Sequence, residues 1–144
     1  MPKRFKAALV ALAAGAALGG CSHMSTRSLP KADIGNYKHV WVEQRLADNF
    51  GIGEEMARQL RDMGYDSSAG ALTMMPSGTE LIVSYEDMWT WDFNTYMIEI
   101  DMQVRSARTD KILAVGHYNR PSMVFGRPPA SMIHELLAKL FKKG

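Results

Sequence analysis

Between Glu86 and Asp92 the chain gathers three carboxylates and two indoles: Glu86, Asp87, Trp89, Trp91 and Asp92. Carboxylates beside aromatic platforms suit glycan binding, or glycoside hydrolysis when two carboxyls stand at a defined separation across the sugar. Crowding on one stretch argues against hydrolysis, because an extended backbone sends successive side chains to opposite faces. The plainer reading is a hairpin turn whose tryptophans cover a sheet edge and whose acids are solvated. These five residues form a candidate binding surface, and no catalytic residue is assigned.

Other residue types with chemical potential are dispersed. His23, His39, His117 and His134 show no pair at zinc-ligand spacing along the chain. Met74, Met75, Met88, Met97 and Met123 offer thioethers that suit Cu(I), and Trp89 adds a ring face for such an ion. Methionine is also a common core filler, so copper binding is the alternative reading, no metal ligand is assigned and no cofactor is expected. Gly51-Ile52-Gly53 stands where a helix begins, as in phosphate-binding loops. Met56 occupies the place of the third fingerprint glycine, no Walker lysine follows, and Glu54 and Glu55 repel anions. Close packing of helix on sheet explains these glycines better. Ser77 and Ser122 lie in loops, outside any G-x-S-x-G elbow.

The single cysteine, Cys21, excludes an intramolecular disulfide. Before it come a basic start with Lys3, Arg4 and Lys6, then an apolar run from Ala7 to Ala17 that is too short to span a bilayer. The order Leu18-Gly19-Gly20-Cys21 resembles the lipobox of bacterial lipoproteins. That resemblance implies cleavage before Cys21, acylation of its thiol and anchoring in a membrane, and Ser22 implies sorting to the outer membrane with the domain facing the periplasm. More than one acyl chain is needed for a stable anchor.

Loss of residues 1–20 changes the electrostatics. The whole chain carries 17 Lys plus Arg against 15 Asp plus Glu. Three of the basic residues belong to the leader, so the remainder is close to minus one, and a nucleic-acid partner loses its electrostatic footprint. Residues 21–36 are polar and read as a lipidated tether reaching about 20 Å. Residues 37–144 suffice for one domain with a core.

Within that domain the spacing predicts a strand over residues 38–45, with Val40 and Val42 on one side. A helix capped by Asp48 or Asn49 follows, with Ile52, Met56, Leu60 and Met63 on one face and Gly64 at its end. Residues 66–79 read as a loop with room for a short strand. A strand over residues 80–88 leads to a turn over 89–94. The next strand, 95–106, alternates Tyr96, Ile98, Ile100, Met102 and Val104 against Met97, Glu99, Asp101, Gln103 and Arg105. One more strand spans residues 112–119, and a last helix is capped by Ser131 and striped by Ile133, Leu136, Leu137, Leu140 and Phe141.

The order β-α-β-β-β-α predicts an α+β two-layer sandwich, a mainly antiparallel sheet of four or so strands with both helices on one face. The lipobox, Gly51-Ile52-Gly53, Met63-Gly64-Tyr65, Val83-Ser84-Tyr85-Glu86-Asp87 and Trp89-Thr90-Trp91-Asp92 resemble the small lipoproteins of diderm bacteria. That resemblance implies a fold and a location and lends no activity. The expectation is a lipid-anchored binding or envelope-assembly domain without catalysis, partnered by the membrane through Cys21 and by protein or peptidoglycan. A glycan-active enzyme is the more distant alternative.

Overall fold

A computed structural model describes residues 22–29, 32–92, 94–120 and 128–141. Cys21, the lipobox and Met123 lie outside the described residues. The elements are β1 (His23–Ser28), a 3-10 turn (Ile34–Asn36), β2 (His39–Glu43), α1 (Ile52–Asp62), β3 (Asp66–Gly70), a 3-10 turn (Leu72–Met74), β4 (Leu81–Asp92), β5 (Asn94–Ser106), β6 (Ile112–Asn119) and α2 (Pro129–Leu140). The class is α+β, with two helices and one six-stranded sheet among the described residues, in the order β1-β6-β5-β4-β2-β3.

The sheet is mixed and larger than the four or so strands expected. β2 is parallel to both β3 and β4, while β4, β5, β6 and β1 pair antiparallel in succession. The first extra strand, β1, falls inside the stretch expected to be a tether. It is exposed along both sides except at Met24, so no hydrophobic alternation marks it, and its order comes from pairing with β6. The second, β3, fills the room left for a short strand after Tyr65. It consists of small residues, Asp66 to Gly70, and is ordered by parallel pairing with β2 after the α1 crossover.

The core joins the helices to one sheet face. Ile52, Met56 and Leu60 from α1, with Ile133, Leu136 and Leu137 from α2, pack with Val42, Leu81, Val83, Ile100 and Val104. Helix α1 carries Glu54 and Glu55 in its first turn and Arg61 in its last, complementing the helix dipole. Helix α2 starts with proline in its first turn, and its N-cap is Pro128. The expected cap, Ser131, instead lies inside the first turn, its hydroxyl donating to the Pro128 carbonyl at 3.0 Å. Glu80 accepts from the Lys38 and His39 amides at 2.7 and 2.8 Å, which ties the start of β2 to β4. Those two amides hold its carboxyl below the ordinary range.

Two further expectations are corrected in β4 and β5. Most of the turn expected over residues 89–94 is instead strand, since β4 runs on to Asp92 and β5 begins at Asn94. The alternation in β5 also breaks. Met88 pairs with Glu99 and Trp89 with Met97, leaving Ile98 as the extra residue of a β-bulge. Because the side-chain period of a strand is two, one inserted residue exchanges the faces beyond it. Ile100, Met102 and Val104 therefore point into the core, whereas beyond the bulge the buried residue is Met97 and Ile98 is only half-buried.

Candidate functional site

Beyond the Met88–Glu99 pair, β4 and β5 continue as a ribbon with no third strand beside it among the described residues. Such a ribbon is marginal by itself, and the loop between β2 and α1 braces it. Arg45 donates to Asp87 Oδ1 at 2.7 Å, and Trp89 Nε1 donates to Asp87 Oδ2 at 2.5 Å. The Phe50 ring stacks on Trp89 with centroids 3.7 Å apart. The Asp87 side chain is only 7% exposed, so its charge is compensated within this contact set.

The same loop is fixed to the helix by Asp48. Its Oδ1 accepts from the Ile52 amide at 2.9 Å, and its Oδ2 from the Gly53 amide at 2.8 Å and the Tyr85 hydroxyl at 2.7 Å. Burial pushes the Asp48 carboxyl up, but bonds from Gly53, Tyr85, Ile52 and Phe50 outweigh it and hold the group below its ordinary value. Burial first, and then the bond to Asp48, pushes the Tyr85 hydroxyl well above the usual range. Gly51 has a positive φ of 68°, and a Cβ on Gly53 would stand 2.8 Å from the Tyr85 hydroxyl. Gly53 serves close packing of helix and sheet, whereas Gly51, with open space where a Cβ would stand, serves the left-handed backbone that starts the helix. The Ile52 and Gly53 amides are already bonded to a carboxylate.

The five residues of the candidate surface therefore separate. Asp87 and Trp89 belong to the brace. Glu86 is exposed on the sheet face opposite the helices, across from Asp101. Trp91 is 74% exposed near the ribbon tip. Asp92 ends β4 opposite Asn94. Of the methionines considered for copper, Met97 is core, Met74 is exposed in the 3-10 turn after β3, and Met88 is exposed across from Glu99.

The face away from the helices holds a grouping that linear spacing did not suggest. Glu99 and Asp101 lie two apart on β5, and His117 lies opposite Asp101 on β6. Ligand-capable atoms of Glu99, Asp101 and His117 all lie within 4.8 Å of one another. His117 Nδ1 is 2.7 Å from Asp101 Oδ1, and Asn119 donates to Glu99 Oε2 at 2.9 Å. A shallow concavity of about 660 Å³ opens beside them, lined in part by Ser25, Arg27, Glu86, Asp101 and His117. The signal that could have found this trio is the β5–β6 register, which depends on the turn between them.

No protein-family model matches the chain, and no curated protein matches it. Solved structures do. A variant of PelC from Paraburkholderia phytofirmans, described as a dodecamer, superposes with a TM-score of 0.63 at 13% identity, covering 83% of this chain and 98% of that one. A second PelC dodecamer structure from the same organism gives 0.57 at 12% identity, covering 83% and 94%. A DUF4136 family protein from Bacteroides thetaiotaomicron gives 0.56 at 7% identity, covering 83% and 95%. At these identities the likeness establishes the fold. Among the described residues no helix is long and apolar enough to cross a membrane.

Proposed function

We propose that the chain is a lipid-anchored domain of the outer membrane, facing the periplasm and serving binding or envelope assembly without catalysis. The observation that carries this reading is Trp91, left 74% exposed on a ribbon that Arg45, Asp87, Trp89 and Phe50 brace. A large aromatic held out by a rigid support loses little conformational entropy on binding, as at the anchor positions of interfaces. The lipobox supplies the anchor, and the fold shared with PelC, described as a dodecamer, supports assembly with further copies.

Two variants test the two halves of this reading in a diderm host. Cys21→Ser should leave the chain unprocessed or soluble. Membrane fractionation together with cleavage before residue 21 in that variant would refute the anchor. Trp91→Ala should keep the fold and lower the assembled mass measured by light scattering in detergent. An unchanged mass would refute the ribbon as the contact surface.

A further inference from the structure

The three side chains gathered on β5 and β6 have a composition suited to a metal. Period-two geometry puts the Glu99 and Asp101 carboxylates on one face, and the register brings Glu86 in beside Asp101 from β4. Three acids thus occupy neighbouring positions, with His117 bonded to one of them. The nearby guanidinium of Arg105 is engaged with Glu43 at 2.7 Å and Asp110 at 2.8 Å. Arg27 is paired on the sheet with Val115, two rows from the Ser25–His117 pair, and its side chain borders the same concavity from the far side of Ser25. Like charges set side by side on a sheet are destabilising, and a divalent cation would reverse that cost.

We propose that Glu99, Asp101 and His117 form a zinc site with an open coordination position toward solvent. One imidazole nitrogen and two carboxylate oxygens are ligands that zinc accepts, and three protein ligands leave a fourth place for water or a bound group. The imidazole favours zinc over magnesium and calcium, which prefer oxygen. Adjacent ligand atoms of a tetrahedral zinc stand about 3.3 Å apart at ordinary bond lengths, so small side-chain rotations on a fixed backbone suffice. Asn119, already bonded to Glu99, would orient that carboxylate as outer partners do at metal sites. Ser25 on β1 faces His117 across the strands and borders the open side. The site is independent of the anchor and of Trp91.

The test uses the full-length chain, purified in detergent and stripped with EDTA, titrated calorimetrically with zinc chloride. One saturable site of micromolar affinity or better is expected, with at least tenfold weaker binding in His117→Ala and Asp101→Asn. His39→Ala, which removes a different cross-strand His–Asp pair at 2.9 Å, should leave the affinity unchanged. Absence of saturable binding, equal affinity in His117→Ala, or tighter binding of calcium or magnesium than of zinc would overturn the proposal. Paramagnetic broadening by Co(II) on the wild-type chain needs no variant to fold. Loss of amide signals centred on Asp101 and His117 supports the site, and broadening centred elsewhere refutes it.

Discussion

Trp89 and Trp91 stand two residues apart on one strand and meet different surroundings. Trp89 loses a stacked ring and the bond to Asp87 when it is replaced by Ala, and a nearly buried carboxylate loses one donor. Trp89→Ala should cost about 2–3 kcal/mol, toward the low side of large aromatic truncations because the ring is only half-buried. Trp91→Ala should change stability by less than about 0.5 kcal/mol. Urea unfolding curves check both, and two equal losses would mean that Trp91 is packed. Asp48 gives a prediction in pH. Its folded carboxyl titrates below the ordinary 3.8, so its contribution is whole above that value and drains away as pH falls through the lowered one. Asp48→Asn should therefore cost about 1–2 kcal/mol at pH 7, and the gap to wild type should narrow below pH 3.8. Urea midpoints at pH 7 and pH 3 measure it, and a constant gap would show that charge at Asp48 contributes nothing.

At the scale of elements, the bulge at Ile98 decides which β5 residues can accept a charge. Ile100→Asp and Met97→Asp each place a carboxylate in the core without a partner and should abolish the cooperative thermal transition. Ile98→Asp, at a half-buried position, should keep a transition at lower temperature. Circular dichroism melts separate these outcomes, and an intact transition in Met97→Asp would refute the exchange of faces. The bulge also marks how far sequence carries. Helix α1 is legible because Ile52, Met56 and Leu60 repeat at helical spacing and Gly64 follows, all local facts. The inner half of β5 is legible for the same kind of reason, through Ile100, Met102 and Val104. Ile98 is not, because a bulge is a property of two strands at once. Strands β1 and β3 lack the apolar alternation that betrays a half-buried strand, and their neighbours order them. The His117–Asp101 contact joins residues 16 apart, a separation that only the β5–β6 register explains, whereas Trp89 and Trp91 were visible by type and divided only by their surroundings.

The whole molecule has a polarity that follows from where β1 begins. His23 pairs with Asn119, Asn119 with Glu99, and Glu99 with Met88, so one row crosses four strands. The ribbon projects beyond that row, and the chain enters β1 from the same end. Only Ser22 separates Cys21 from the strand, a distance of about 7 Å at full extension, far shorter than the tether expected from composition. On the proposed anchor, the ribbon end of the domain therefore rests near the membrane, and in a copy not engaged with a neighbour Trp91 lies where an indole suits the boundary of headgroups and water. In vesicles containing brominated lipids, tryptophan emission of the lipidated chain should be quenched, and Trp91→Phe should remove most of that quenching. A ten-residue Gly/Ser insertion between Ser22 and His23 should weaken it as well, because a flexible linker lets the domain leave the surface. Quenching that survives Trp91→Phe would place another tryptophan at the lipid. Quenching unaffected by the linker would show that affinity of the ribbon for the membrane, and not the shortness of the connection to Cys21, sets the orientation of the domain.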